Sequence, residues 1–131
     1  MDKAMIDRGM AVRREVLGDA YVDRALAEAD DFSMPFQELA MGCGWGEVWT
    51  REGLTRQTRS LLTIAMTTAL NRPHEIRLHV RGALRNGCTT DEIREVLLHA
   101  AIYCGMPAAL DAFRHAREAI EAFETDPEGA G

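Results

Sequence analysis

The sequence predicts an all-α protein, a single domain of six or seven helices over residues 1–125. Apolar residues recur at three- and four-residue spacings along most of the chain, and no segment shows the alternating pattern of a β-strand. Helix caps and glycine or proline breaks separate the periodic segments. The length of 131 residues is that of one domain with its own core. Residues 126–131 are expected to form a disordered tail.

The first half of the chain contains three short predicted helices. The first spans 6–17 and the second 21–29, each with apolar residues on one face and charged residues between them. Ser33 is predicted to cap the third, which has a proline in its first turn, where the missing N–H costs little. Three closely spaced glycines then obscure the end of this helix. We therefore expect Trp45 and Trp49 to lie in a short loop.

The second half contains four longer predicted helices, over 56–70, 73–85, 90–103 and 108–124. Thr55 is the predicted cap of the first of these, the central helix. Apolar residues occupy most of its circumference, so we expect it to be buried on nearly every side. Thr89 and Glu92 match a capping box and start the third helix of this half.

Composition and charge restrict the classes of partner. Hydrophobic residues make up 47% and charged residues 27% of the chain, which is ordinary for a globular protein. The net charge of -6 argues against nucleic acid, because phosphate binding needs a basic face, whereas a small anionic substrate needs only a few local arginines. The N-terminus lacks a signal-peptide pattern, and no apolar run reaches the roughly 18 residues of a membrane span. We expect a cytoplasmic protein that binds neither nucleic acid nor membrane.

The cysteines indicate neither a disulfide framework nor a zinc site. Cys43, Cys88 and Cys104 are odd in number and far apart, without a neighbouring ligand at metal-binding spacing. We interpret them as buried thiols that act as small apolar residues. His74 and His79 are five residues apart with no third ligand following, so no metal site is expected.

Glu75 and His79 form the candidate proton-transfer pair. Their four-residue spacing places them one turn apart on the same face of the predicted helix over 73–85. They flank the apolar stripe of that helix, where a side chain can face a cavity while the helix packs. Burial there is expected to lower the pKa of His79 unless the two side chains form an ion pair. A solvent-exposed pair is the open alternative.

A polar line on the central helix is a second candidate feature. Its members are Arg56, either Ser60 or Arg59, Thr63 and Thr67. Buried polar groups need partners, so such a line faces a cavity, another subunit or a ligand. In the alternative interpretation the arginines reach solvent and the threonines bond to preceding carbonyls.

The two tryptophans are the third candidate feature. Trp45 and Trp49 lie within five residues, with Glu47 between them. Two large aromatic side chains can wall an apolar pocket into which Glu47 reaches. The alternative is a packing role or a contact between subunits.

Four runs of the sequence resemble those of carboxymuconolactone decarboxylases; they are 7–20, 45–51, 58–66 and 100–109. The resemblance covers about 5–123 and implies the all-α alkylhydroperoxidase-D-like fold, assembled as a homo-oligomer, a hexamer or a trimer. In the peroxidase branch the matching helix start carries Cys-x-x-Cys followed by His. This chain has Arg72, Glu75 and His79 there, so the decarboxylase branch is favoured over a thiol peroxidase, which needs two thiols.

The resemblance implies decarboxylation of 4-carboxymuconolactone to 3-oxoadipate enol-lactone, a step of protocatechuate breakdown. The electrons left by CO2 delocalise through the ring double bond into the lactone carbonyl, forming a dienolate. Because the substrate contains its own electron sink, no cofactor or metal is expected. The partner is a small lactone dicarboxylate.

The resemblance also suggests roles for the candidate residues. His79 is expected to donate the proton or stabilise the dienolate, and Glu75 to orient it or relay the proton. Arg59 and Arg72 are the expected carboxylate anchors, with Arg51 and Arg56 as alternates. The remaining expected substrate-pocket residues are Glu47, Trp45, Trp49 and Thr63. A non-catalytic helical interaction protein is the rival class, and it predicts an exposed pair and no enclosed pocket beside Thr63.

Overall fold

The computed structural model describes residues 1–129, and within them it contains seven α-helices, one π-helical segment and no strand. The all-α class predicted from the sequence is confirmed. The chain divides into two compact units, the first comprising Met1–Leu54 with a short piece that begins at Glu128, the second comprising Thr55–Pro127. The last two positions of the predicted tail, 130 and 131, lie outside the described residues.

The first unit contains α1 (Lys3–Leu17), α2 (Asp19–Glu28), α3 (Met34–Leu39) and the π-helix (Ala40–Val48). Asp2 caps α1, its carboxylate accepting a hydrogen bond from the backbone N–H of Met5 at 2.9 Å. Gly18 separates α1 from α2 with a φ of 92°, a left-handed conformation that glycine adopts without steric cost.

Helix α1 and the π-helix pack backbone against backbone at two glycines. A methyl group on Gly9 would overlap the carbonyl oxygen of Met41, and one on Gly46 would overlap the carbonyl oxygen of Met5. Gly44 lies in the same π-helix, but a Cβ there would meet no atom within 4 Å. The close approach therefore depends on particular glycines and not on the glycine-rich composition as a whole.

The expectation of a loop around the tryptophans is wrong. The backbone N–H of Trp49 donates to the carbonyl oxygen of Gly44 at 3.0 Å, an i→i+5 bond that satisfies the backbone in a π-helix. Closely spaced glycines usually interrupt an α-helix. Here they lie within the wider turn of a π-helix, and the lack of a side chain at one of them, Gly46, allows close contact with the backbone of α1. The wider turn places residues four apart on nearly the same side. The rings of Trp45 and Trp49 consequently lie 4.7 Å apart between centroids, tilted by 33°.

The second unit contains α4 (Arg56–Ala69), α5 (Pro73–Arg85), α6 (Thr90–Cys104) and α7 (Met106–Thr125). The two caps predicted in this unit are confirmed, whereas Ser33 occupies the N-cap position of α3 without a side-chain capping hydrogen bond. The hydroxyl oxygen of Thr55 accepts from the Thr58 N–H at 3.1 Å. At the start of α6 the Thr89 hydroxyl accepts from the Glu92 N–H at 3.1 Å, while the Glu92 carboxylate accepts from the Thr89 N–H at 2.9 Å.

All four helices contribute to the core of the second unit. Its buried members are mostly aliphatic and are Ile64, Ile76, Val80, Ala83, Cys88, Ile93, Leu97, Ala112, Ala116 and Ala119. The α5 members recur at three- and four-residue spacings, so one face of α5 packs inward over its whole length. This packing fixes the orientation of the helix that carries the candidate pair.

Helix α4 is not buried on nearly every side, contrary to the sequence prediction. Its buried residues are Ser60, Ile64 and Thr68, which form a single stripe. Leu62, Met66 and Leu70 are instead 41%, 59% and 61% exposed. Periodicity shows that a face is apolar but cannot show whether the same chain covers it. Helix α4 therefore has a second apolar face that the described chain leaves open.

The open apolar surface continues from α4 onto α6. A groove of about 620 Å³ runs between these helices, and its apolar walls include Leu61, Ala65 and Val96. Large side chains around the end of α6 and the start of α7 are also exposed, namely Leu98, Ile102, Tyr103, Met106 and Leu110. No helix in the described part of the chain has the length and apolar character needed to cross a membrane.

Candidate active site

Glu75 and His79 lie one turn apart on α5 and differ sharply in exposure. The His79 side chain is 8% exposed and the Glu75 side chain 44%. The His79 Nε2 atom lies 3.6 Å from the nearer Glu75 carboxylate oxygen, slightly beyond hydrogen-bond length. Pro73 starts the helix, so Glu75 falls in the first turn, where the helix dipole favours a negative charge. The pair thus joins a buried imidazole to a carboxylate that reaches solvent.

Burial determines the charge of His79. Desolvation lowers the pKa of its imidazole from the ordinary 6.5 to about 4, as the sequence position led us to expect. At neutral pH His79 is therefore uncharged, and its contact with Glu75 is not an ion pair. A neutral imidazole has one N–H donor and one acceptor nitrogen. His79 is not the exposed residue that the non-catalytic alternative predicts.

The second unit also holds three of the four arginines expected to anchor carboxylates. Arg56 and Arg59 are half-buried in the first turns of α4. Arg72 is exposed at the start of α5, where its Nη1 donates to the carbonyl oxygen of Leu70 at 3.0 Å. An exposed guanidinium can exchange such a carbonyl for a carboxylate, which accepts a stronger, charge-assisted hydrogen bond. Arg72 therefore has the chemistry expected of an anchor.

The polar line on α4 is largely satisfied within the helix. The Thr63 hydroxyl donates to the Arg59 carbonyl oxygen at 2.8 Å, and the Thr67 hydroxyl donates to the Thr63 carbonyl oxygen at 2.7 Å. For the threonines this agrees with bonding to preceding carbonyls, one of the two interpretations left open by the sequence. Thr63 retains only acceptor capacity toward a ligand. The buried hydroxyl of Ser60, the residue after Arg59, accepts a hydrogen bond from the Asn86 side-chain amide at 2.9 Å. This bond connects α4 to the end of α5.

The other expected pocket residues belong to the first unit. The structure brings Trp45 and Trp49 into ring contact, with Trp45 buried and Trp49 half-buried. Glu47 and Arg51 are exposed. Their roles toward a substrate remain predictions from the sequence.

The interpretation of all three cysteines as buried thiols is wrong for two of them. Cys43 and Cys104 are exposed, because they lie on faces of their helices that the described chain leaves uncovered; only Cys88 is buried. Burial, with a smaller effect of the Glu92 charge, raises the pKa of Cys88 to about 11, so its thiol stays protonated at neutral pH. The two positions at which the resemblance would place a peroxidase dithiol hold Arg72, the N-cap of α5, and Glu75 in its first turn.

The remaining histidines lie in separate environments. The His99 ring stacks on Tyr103 with centroids 4.9 Å apart, and His115 Nδ1 lies 2.8 Å from an Arg77 nitrogen. Because a guanidinium only donates, that Nδ1 must be the acceptor. Across residues 1–129, no group of three or more His, Cys, Asp or Glu side chains is placed to hold a metal ion.

One residue with an unusual environment was missed by the sequence analysis. Arg13 on α1 is only 6% exposed. The signal was its position between Val12 and Val16, both on the buried face of the helix, where a charged residue is out of place. A cation within an apolar stripe marks either a buried ion pair or a site for an anion.

Comparison with known proteins relates this chain to one family. The sequence matches the Carboxymuconolactone decarboxylase family over residues 35–118. It is 43% identical over 127 residues to a 4-carboxymuconolactone decarboxylase of Acinetobacter baylyi, covering 97% of this chain and 95% of that protein. It is 46% identical over 112 residues to a nitrosuccinic acid decarboxylase of Metarhizium robertsii, covering 86% and 78% respectively. A 4-carboxymuconolactone decarboxylase of Pseudomonas putida is 55% identical over 38 residues, which are 29% of this chain and 79% of that protein.

Proposed function

The chain belongs to the Carboxymuconolactone decarboxylase family, and we propose that it converts 4-carboxymuconolactone to 3-oxoadipate enol-lactone and CO2 without a cofactor. The observation that carries this proposal is the 43% identity to a 4-carboxymuconolactone decarboxylase over 97% of the chain. The buried imidazole of His79 beside a carboxylate supports it, because this reaction needs one proton transfer and one stabilised oxyanion.

The reaction requires no external electron sink. The bond between the ring carbon and the departing carboxylate breaks, and its electron pair moves through the ring double bond onto the lactone carbonyl oxygen. The resulting dienolate takes one proton on carbon, which restores the lactone carbonyl and leaves the enol-lactone. The protein must bind the two carboxylates, stabilise the dienolate oxygen and deliver that proton.

His79 suits stabilisation of the dienolate oxygen. Its lowered pKa keeps the ring neutral at neutral pH, so before substrate binds it offers an N–H hydrogen bond and not an imidazolium. Such a bond is stronger in a site from which water is excluded, and the side chain is 8% exposed. A dianionic substrate close to the ring would also favour its protonated form, which keeps proton donation by His79 available.

Glu75 is the proposed relay. Its carboxyl group reaches both solvent and His79, with 3.6 Å between Oε2 and Nε2. A small rotation of either side chain brings these atoms to hydrogen-bond distance. A proton taken from water by Glu75 can then reach the site beside His79. Arg59 and Arg72 are the proposed carboxylate anchors in the same unit, with Arg56 as the alternate.

A second candidate substrate is nitrosuccinic acid, and the 46% identity to a decarboxylase of that name favours its inclusion. Nitrosuccinic acid is also a dicarboxylic acid that bears an electron sink, since its nitro group accepts the electron pair left by CO2. The two reactions therefore place the same demands on the protein, namely two carboxylates, one oxyanion and one proton. Parallel assays with both acids determine which is turned over faster.

The open apolar face of α4, α6 and α7 supports the expected homo-oligomer. Exposed patches of this kind are rare on monomers and common where subunits meet, so we propose that further copies of the chain cover it. Analytical ultracentrifugation should give a trimer or a hexamer, and a monomer at micromolar concentration would contradict this. The cytoplasmic location expected from the sequence remains a prediction.

The His79→Gln variant tests the proposed site. Glutamine cannot place its N–H group where the imidazole N–H lies and cannot accept a proton from Glu75 and pass it on, so we expect turnover of 4-carboxymuconolactone to fall by about 100-fold or more. His74→Gln is the matched control, because His74 is an exposed residue of the same helix and should keep wild-type turnover. Circular dichroism verifies that both variants fold. Wild-type turnover by folded His79→Gln would remove His79 from the mechanism.

A further inference from the structure

Arg13 is a buried cation that forms no ion pair with a carboxylate of residues 1–129. Its Nη1 donates to the Gln37 side-chain oxygen at 2.8 Å, and its guanidinium carbon lies 6.0 Å from the centre of the Tyr21 ring. Within residues 1–129 these are its side-chain partners, and its buried Nε donates no hydrogen bond. Asp19 and Asp23 of α2 pair with the neighbouring Arg14 instead, at 3.1 and 2.8 Å.

The two neutral partners offset only part of the cost of burying this charge. An ion taken out of water costs several kcal/mol even after the protein relaxes. A hydrogen bond to a charged group returns about 1.5–3 kcal/mol, and a cation–π contact returns about 0.5–2 kcal/mol. An apolar residue of similar volume would be the more stable choice at this position. The charge at Arg13 therefore has a use other than stabilising the fold.

The geometry of the guanidinium indicates what it can bind. Gln37 holds Nη1, which leaves the opposite edge, formed by Nε and Nη2, without a partner in the described chain. That edge presents two parallel N–H groups, the arrangement that matches the two oxygens of a carboxylate. Tyr21 and Gln37 hold the plane of the group in place. A single guanidinium suits a singly charged anion better than a phosphate dianion.

We propose that Arg13 is the centre of a carboxylate-binding site in the first unit, with Gln37 and Tyr21 orienting its guanidinium. The carboxylate is either one of the two on the proposed substrate or that of a separate small acid. Only the first of these sources rests on the proposed function. The site itself rests on the buried, incompletely partnered guanidinium.

Succinate is the probe, because it carries two carboxylates but has no electron sink and cannot lose CO2. Calorimetric titration should show binding to wild-type protein and a dissociation constant raised about 30-fold or more by Arg13→Met. Arg14→Met is the matched control: it removes the same charge from the next residue, whose partners are the α2 carboxylates, and should bind succinate as wild type does. Without succinate, Arg13→Met should melt at or above the wild-type temperature, because it removes an uncompensated buried charge.

Arg13→Lys keeps the proposal testable if Arg13→Met does not fold. Lysine retains the charge but lacks the paired N–H groups, so we expect succinate binding to weaken about 10-fold. The proposal is overturned if wild-type protein does not bind succinate, if folded Arg13→Met binds it like wild type, or if Arg13→Met unfolds while Arg13→Lys binds normally.

Kinetics with 4-carboxymuconolactone distinguishes the two sources of the carboxylate. The site belongs to the substrate if Arg13→Lys raises KM about 10-fold or more and Arg14→Met leaves KM unchanged. Unchanged KM together with lost succinate binding assigns it to a separate small acid. Because succinate binding is measured without turnover, absence of CO2 release from wild-type protein would contradict the proposed function and leave the Arg13 site standing.

Discussion

Replacing His79 with glutamine should remove a pH dependence that the buried imidazole imposes on the stability of the fold. In the folded protein burial lowers the pKa of His79 to about 4, whereas the ordinary value in an unfolded chain is 6.5. Between these two values the unfolded chain binds a proton that the folded chain does not. Stability therefore rises with pH through this window and is lost as pH falls from about 6.5 to about 4.

The size of the effect follows from the same two values. At pH 7 both states are mostly unprotonated and the imidazole has almost no effect on the free energy of unfolding. At pH 5 the unfolded chain is almost fully protonated at this residue and the folded chain mostly is not, which costs the wild-type fold about 2 kcal/mol. Below pH 4 the cost approaches about 3 kcal/mol. Glutamine does not titrate, so the variant lacks this loss.

Urea unfolding at pH 7 and pH 5 measures the effect as a difference of differences. All other titrating groups contribute alike to the two proteins and cancel in the comparison. Wild type should lose about 2 kcal/mol more than His79→Gln between these pH values. His74→Gln, at an exposed residue of the same helix, should lose as much as wild type. Equal losses in wild type and His79→Gln would show that the imidazole is not held neutral by burial.

Three further outcomes follow from the structure. Gly9→Ala should destabilise the fold by about 3 kcal/mol or more, because the new methyl group would overlap the Met41 carbonyl oxygen. Gly44→Ala should be neutral or stabilising by about 0.5–1 kcal/mol, because its methyl group would meet no atom. Urea unfolding compares the two variants, and equal effects would contradict the glycine contact. Thr89→Ala should cost about 1 kcal/mol through loss of the capping box at the start of α6, measurable in the same way, and an unchanged midpoint would argue against the cap. His79→Gln should lower the turnover of nitrosuccinic acid less than that of the lactone, because a nitro group stabilises the carbanion more strongly than a lactone carbonyl does. An equal or larger loss of nitrosuccinic acid turnover in parallel assays would contradict the role of His79 in stabilising the oxyanion.

The helices could be predicted from the sequence because their ends are local. The hydroxyls of Thr55 and Thr89 cap α4 and α6 through bonds that span three residues, so the sequence contains both partners. The π-helix could not be predicted in this way. It packs against α1 where Gly9 meets the carbonyl oxygen of Met41, and these two residues lie far apart along the chain, so no local spacing records the contact.

The candidate site was predictable in part for the same reason. The helical face shared by Glu75 and His79 follows from their spacing, but the contrast between a buried imidazole and a partly exposed carboxylate depends on packing against other helices. For the second apolar face of α4 the sequence pattern predicted too much burial. The pattern shows that the face is apolar, but the described chain does not cover it. Arg13 carried a signal in its position within an apolar stripe. Its meaning depended on a buried Nε that finds no hydrogen-bond partner in the described part of the chain, which only the structure reveals.

Incubation of the purified protein with 4-carboxymuconolactone, without added cofactor, tests the central claim most directly. Released CO2 and the product lactone are measured in the same reaction. The proposed chemistry predicts one CO2 and one 3-oxoadipate enol-lactone for each substrate consumed, at a rate proportional to protein concentration. Folded protein that releases CO2 no faster than buffer would contradict it.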